Sequence, residues 1–463
     1  MAQTKSNDWW DRERQRFLKR ILICLVLILV LIGYFTYINW WGRTGYVDGV
    51  NFPTSNCIAF IRHEADGSTA VYAIRADGSD LRRLTTANDP SIKEHPSWTP
   101  DGKSIVFSSN MKDLKTTQLY IMGSGAPVQL TYGAGNKFSP TVSPNGKIVA
   151  FITQGVVKTV TITGTDVTQV MPLPRSGNES DTGTGMVLET EMGPYLSAAF
   201  APDGVTLAGI QDVSNSLIQA RTDDDSDSQN KPSTVTALPI DQQVIVLPGS
   251  ANKAYPAVAQ GHDVSMAWEP NGTRLACSYT ELPMVDPKGR PVDTEGQLLP
   301  QGRSPLPISG IQIWSFVDNK PTHEPLYACL GYSVEPKNIA WSPDGSLLAF
   351  ELWVLKSEGV RELAGIRVLE IKEIGKDANG APKYQGYKNL PQDVPQLPVL
   401  VASGAQGKPQ NPRWSPNGRR LVYEMLRPNG KRDLWTINAD GTNPLNLTKG
   451  QGDNTEAVWA PIP

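Results

Sequence analysis

Six times the chain returns to one short pattern: an aromatic or apolar residue, one more residue, Pro, Asp or Asn, Gly, and then an apolar run. The copies read WTPDGKSIVF from Trp98, VSPNGKIVAF from Val142, FAPDGVTLAG from Phe200, WEPNGTRLAC from Trp268, WSPDGSLLAF from Trp341 and WSPNGRRLVY from Trp414. A truncated seventh, VWAPIP, carries Trp459, and the half it lacks stands at the other end as CIAFIR, Cys57 to Arg62. Each copy has one physical reading. The aromatic ends a short strand, Pro with Asp-Gly or Asn-Gly makes a tight turn with positive φ at Gly, and the β-rich run begins the next strand.

A third strand follows in TAVYAIRADG (Thr69 to Gly78), QLYIMGSG (Gln118 to Gly125), IQIWSF (Ile311 to Phe316) and DLWTINADG (Asp433 to Gly441), and a short fourth in LRRLT and LNLT. Four antiparallel strands recurring every 44 to 73 residues are the signature of propeller blades. The chain is therefore expected to be all-β: a β-propeller over residues 57–463 with seven four-stranded blades, six being the alternative if one irregular repeat is an insertion. Pairing of EAVWAP with CIAFIR closes the ring.

Pro96 to Thr131 and Pro412 to Thr448 carry the fullest version of the repeat, with Trp-x-Pro-Asp/Asn-Gly, Leu-Tyr or Leu-Trp, and a closing Leu-Thr. This pattern resembles the WD40-like (PD40) repeats of TolB-like propellers, which also occur in prolyl-oligopeptidase-like peptidases. The resemblance implies the fold and a docking or transport role in the bacterial envelope. TolB has six blades and is soluble and periplasmic, so this chain departs from it. The repeated residues are structural, and function must be sought elsewhere.

Ahead of the repeats, ILICLVLILVLIGYFTYINWWG (Ile21 to Gly42) holds no charge over 22 residues. At about 1.5 Å per helical residue it spans a hydrocarbon core of roughly 30 Å. Lys5, Arg12, Arg14, Arg16, Lys19 and Arg20 precede it and only Arg43 follows closely, so residues 1–20 are expected in the cytoplasm and the propeller outside. Tyr34, Tyr37, Trp40, Trp41 and Tyr46 suit the outer headgroup layer, and YFTYINWWGR offers no small-residue cleavage site. The expectation is a single-pass protein of the bacterial inner membrane with a periplasmic propeller. The linker Arg43 to Asn56 reaches at most about 46 to 50 Å, which brings the hairpin-turn face nearest the membrane.

The formal net charge of −3 gives no basic groove, so no nucleic-acid partner is expected. Four Cys occur; Cys24 falls in the apolar run, and Cys57, Cys277 and Cys329 read as small buried hydrophobes. Cys277 and Cys329 fall on non-adjacent strands of one blade. No nucleophile elbow, phosphate loop or zinc spacing is present, so no catalytic, cofactor or metal residues are assigned. Asp223 to Asp227 reads as a solvated loop, lacking the Gly and Glu of a calcium loop.

One set of positions points to the channel. Three residues before each aromatic stand His95, Ser139, Ser197, Ser265, Asn338, Asn411 and Glu456, a candidate ring of polar groups. Long inserts supply candidate docking surfaces: 172–193, 222–234, 281–310 with Glu281, Arg290 and Arg303, and 372–396 with Lys383, Tyr384 and Tyr387. The inserts near Asp224 and Gly380 are expected on the hairpin face and those at Pro172 and Glu281 on the other. Function is read as a membrane-anchored scaffold that binds other membrane or periplasmic proteins, as an accessory subunit of a respiratory, photosynthetic or secretion complex. The alternatives are a TolB-like envelope factor, or a channel-based small-ligand binder or hydrolase.

Overall fold

The computed structural model describes residues 56–171, 194–214, 241–249 and, each with gaps of a few residues, 255–281, 308–389 and 399–462. The apolar run at 21–42, the Asp223 to Asp227 stretch, Arg290 and Arg303 lie outside the described residues. Among the described residues no helix is long and apolar enough to cross a membrane.

Seven sheets carry the repeats. Blade 1 joins the C-terminal strand Asp453–Trp459 to Cys57–His63, Thr69–Arg75 and Arg82–Arg83, with Ile58 opposite Trp459 and His63 opposite Asp453. Blade 2 runs Lys93–Trp98, Ile105–Ser109, Gln118–Met122 and Val128–Gln129, and blade 3 runs Phe138–Val142, Ile148–Thr153, Val156–Thr161 and Thr168–Met171. Blade 4, the irregular copy, is a full blade: Tyr195–Phe200, Leu207–Asp212, Gln242–Leu247 and Tyr255–Gly261. Blade 5 runs Met266–Trp268, Arg274–Glu281, Ile308–Val317 and Lys320–Leu330. Blade 6 runs Val334–Trp341, Leu347–Leu355, Arg361–Glu370 and Val399–Ala402, and blade 7 runs Lys408–Trp414, Arg420–Leu426, Arg432–Asn438 and Leu445–Asn446.

Turn chemistry explains the recurring letters. In blade 2 the Gly102 N–H donates to Thr99 O at 2.9 Å, while Asp101 Oδ1 accepts the Thr99 hydroxyl at 2.6 Å and the Lys103 N–H at 3.0 Å. The same hydroxyl oxygen accepts the Ser104 N–H at 3.0 Å, so the residue between the aromatic and Pro is itself part of the turn. Ser143, Ser342 and Ser415 repeat the arrangement with Asn145, Asp344 and Asn417. Gly102 sits at φ +65° with its Cα facing Pro461, the proline of the preceding turn, where a side chain would crowd it.

The aromatics bind one blade to the next. Trp98, Trp341, Trp414 and Trp459 are buried, and five indole N–H groups donate to inner-strand carbonyls of the preceding blade. Trp98 reaches Val458 O (3.3 Å), Trp268 reaches Ala199 O (3.2 Å), Trp341 reaches Ala267 O (2.9 Å), Trp414 reaches Ala340 O (3.0 Å) and Trp459 reaches Arg413 O (3.1 Å). Val142 and Phe200 hold the remaining two places with apolar contact alone. An apolar cluster fills each junction between neighbouring blades. Phe60, Phe107, Phe151 and Phe350, one on each of four second strands, are buried, each stabilising by about 1.5–3 kcal/mol.

Two expectations about inserts are corrected. Asp223 to Asp227 lies between Leu207–Asp212 and Gln242–Leu247, the second and third strands of blade 4, so that insert leaves from the face opposite the hairpin turns. QQVIVL, the third strand, follows the insert rather than preceding it, which moves the insert off the expected hairpin face. The insert after Arg361–Glu370 does leave from the hairpin face, but it folds back: Glu373–Lys376 pairs with Pro382–Tyr384, and Tyr387–Asn389 adds a parallel fifth strand to blade 5 beside Tyr327, Ala328 and Cys329. Tyr384 is 5% exposed, and its hydroxyl accepts from Arg274 Nη1 at 3.2 Å, so it secures a strap and presents no docking side chain. Arg274 in turn pairs with Glu269, which stands where four of the other turns carry Ser or Thr and two carry Ala. Lys383 is exposed, and Glu281 ends its strand opposite Ile308.

Cys57 and Cys277 are buried free thiols, and burial pushes the Cys57 pKa up to about 12. The strand Ile308–Val317 separates the Cys277 and Cys329 strands in blade 5.

Candidate functional site

The innermost strand of six blades shifts register against its neighbour, in blades 1, 2, 3, 4, 6 and 7. Such bulges add one residue and turn its backbone aside. The ring positions are those residues. His95 (φ 54°), Ser139 (52°), Asn338 (50°), Asn411 (53°) and Glu456 (56°) all adopt the left-handed conformation. It is uncommon outside glycine, with Asn and His enriched in it. Ser197 lies at the blade 4 register shift, and Ser265 directly precedes Met266–Trp268.

The bulges aim backbone N–H groups between blades, and at three successive junctions a carboxylate receives them. Asn411 N–H donates to Glu351 Oε1 at 2.6 Å, Glu456 N–H donates to Glu424 Oε1 at 2.7 Å, and His95 N–H donates to Glu456 Oε2. Side-chain amides reinforce the set: Asn338 Nδ2 donates to Glu351 Oε1 at 2.7 Å, and the Asn411 amide bonds Glu424. Trp353 Nε1 fills Glu351 Oε2 at 2.7 Å, and Arg432 Nε stands 3.6 Å from Glu424 Oε2. Hydroxyls do similar work in blade 5, where Ser265 N–H donates to Ser278 Oγ at 2.7 Å and Ser265 Oγ accepts Ile339 N–H at 2.9 Å.

Glu351 and Glu424 follow Phe350 and Tyr423 on second strands; the matching residues elsewhere are Ile61, Ser108, Ile152, Ile210 and Ser278. The inner layer is therefore uneven: blades 6, 7 and 1 supply the carboxylates Glu351, Glu424 and Glu456, whereas the matching second-strand side chains of blades 1, 3 and 4 are apolar. Both Glu351 and Glu424 are almost wholly buried. Burial pushes the Glu424 carboxyl up to about 7, against the opposing pull of the Glu456 N–H, Asn411 and Arg432. Burial also raises Glu456, while His95 draws it down.

The ring positions thus act first through their backbones, and what they meet was missed in the sequence. The available signal was departure from a repeat column: Glu351 and Glu424 among Ile and Ser, and Arg413 among small residues. Among the described residues no group of three or more His, Cys, Asp or Glu is placed to hold a metal ion.

Residues 51–182 match the TolB beta propeller domain family, PD40. Over that stretch the chain is similar to TolB-type β-propellers. The Tol-Pal system protein TolB of Nitratidesulfovibrio vulgaris is 39% identical over 51 residues, 11% of this chain and 11% of that one. The chain spans a third or less of the length of the curated relatives it matches. Among solved structures, TolB from Acinetobacter baumannii aligns with 88% of this chain and 67% of its own, at 16% identity and a TM-score of 0.43. An oligogalacturonate lyase from Vibrio parahaemolyticus aligns with 84% of each chain, at 12% identity and a TM-score of 0.44. These likenesses concern the fold alone.

Proposed function

We propose that this TolB-like propeller is a membrane-anchored docking module on the outer side of the bacterial inner membrane. In this reading it serves as an accessory subunit of a larger inner-membrane or envelope complex of respiratory, photosynthetic or secretion type. The observation that supports it is the division of labour between the two faces. Asn56 and Ala460 meet at the hairpin face, where Ala460 N–H donates to Cys57 O at 2.8 Å, so the chain leading back to the uncharged run at 21–42 departs from there. The segments 172–193, 215–240 and 282–307 leave from the other face. A propeller tethered by its hairpin face presents those non-repeating segments to a partner protein, and surface loops of this length commonly carry binding.

The test is extraction of the native chain in mild detergent, followed by native sizing and cross-linking. A complex larger than the monomer is expected, and deletion of 282–307 should release a cross-linked partner while the propeller still melts cooperatively. A free monomer overturns the subunit reading. The second reading, a TolB-like envelope factor, is favoured by the PD40 match; it requires partners to be kept when residues 1–42 are replaced by a cleavable leader.

A further inference from the structure

Immediately before the junction aromatics stand Ser97, Thr141, Ala199, Ala267, Ala340, Arg413 and Val458. The indoles of the following blade bind the carbonyls of five of them, which fixes these positions at one level of the inner strands. Six are uncharged and lack long side chains; the seventh is Arg413. Its neighbours Pro412 and Trp414 are buried, yet Arg413 itself is exposed to solvent. On an innermost strand with a blade on either side, the water that reaches it is the water of the channel.

A guanidinium has five N–H donors. Among the described residues Arg413 uses one group, Nη1, which donates to Pro412 O at 3.1 Å. Burial of its base disfavours the Arg413 charge and the fields of Glu424 and Glu351 favour it, but both carboxylates already receive backbone and amide donors. The guanidinium therefore keeps a planar fork of unspent donors facing a lumen walled by small side chains. Such a fork matches a carboxylate in two parallel hydrogen bonds, and low-dielectric walls strengthen the attraction.

We propose that Arg413 is a carboxylate-binding residue inside the channel, taking either a small organic acid or the carboxylate of a peptide that enters the lumen. The site goes beyond the docking reading and does not depend on the membrane anchor, so either can fail alone.

The experiment is calorimetric titration of the full chain in detergent with acetate, succinate, tetra-alanine bearing a free C-terminal carboxylate, and its C-terminal amide. Free carboxylates should bind and the amide should not. Binding of acetate and succinate identifies a small acid as the ligand, and binding of the free peptide alone identifies a peptide. Arg413→Ala should weaken binding at least tenfold, and Arg413→Lys, which keeps the charge but loses the fork, should fall between. Should the alanine variant not fold, Arg413→Gln and Arg413→Lys give the same comparison. Equal binding of amide and acid, no binding of any carboxylate, or undiminished binding by the folded variants overturns the proposal.

Discussion

Glu424 has two roles that pull against each other: its Oε1 holds the Glu456 N–H at a blade junction, and its burial disfavours the charge that makes it a good acceptor. The folded protein binds its proton more tightly than the unfolded chain does, since the carboxyl moves from 4.5 up to about 7. The stability this lends is complete below pH of about 4.5 and is lost as pH rises through about 7, an effect on the order of 3 kcal/mol. Glu424→Gln keeps the acceptor and removes the titration. The wild-type melting temperature should fall between pH 5 and pH 8 more steeply than that of the variant, which should melt higher above pH 7.5. Some slope should persist in the variant, because Glu456 shifts the same way. Parallel melting curves across that range would remove Glu424 from the account. Nothing in the sequence announces this residue except its place in a column of Ile and Ser. A buried carboxylate and an exposed one look alike until the blade that receives its hydrogen bonds is known.

At the scale of elements, the hairpin turns were legible and the bulges were not. Pro, Asp and Gly have distinctive backbone demands, so WTPDG and WSPNG identify a turn from letters alone. The left-handed residues of the inner strands are His, Ser, Asn and Glu, and Ser and Glu are not familiar guests of that conformation. The bulge follows from strand pairing, which the letters do not show. Ser139 isolates its cost, for it sits at φ 52° before Pro140 with no side-chain hydrogen bond. Ser139→Val, favourable in most strands, should destabilise by about 1–2 kcal/mol here because a β-branched side chain resists positive φ. Ser139→Gly should be neutral or slightly stabilising, whereas Asn411→Gly should cost about 1 kcal/mol through loss of its amide bond to Glu424. Urea unfolding of the three variants decides the matter. A neutral valine variant would mean that the bulge relaxes freely. Tyr384 shows the same limit on reading elements from letters. In the sequence it belongs to a long Lys-, Gly- and Pro-rich insert, and only the Glu269–Arg274 pair, an exception to the turn chemistry in blade 5, reveals what holds it.

The whole molecule was legible in its closure and nearly so in its count, because six turn signals with a complementary half-copy at each end make a ring of seven once the irregular repeat proves to be a blade. Its two faces were less so, since a single overlooked strand in blade 4 moves an insert from one face to the other. Closure is also where stability should be most concentrated. The strand Asp453–Trp459 comes last in the chain, yet it supplies the inner edge of blade 1, the Trp459 indole bond to Arg413 O and the Glu456 link to His95. Without it, Cys57–His63 becomes an inner edge with unpaired backbone groups, and the apolar cluster holding Ile58, Phe60, Val422 and Trp459 opens to water. Truncation before Asp453 removes 11 of 463 residues but touches the junctions on both sides of blade 1. It should abolish the cooperative melt or lower it by more than about 10 °C, and expose apolar surface to a hydrophobic dye. By contrast, deletion of 282–307, which removes more residues, should shift the melt by no more than a few degrees, because the segment only joins the second and third strands of one blade and loop length adds slowly to closure entropy. If the truncated chain melts cooperatively within a few degrees of the intact one, the ring is held by its other five junctions and closure is a dispensable seam.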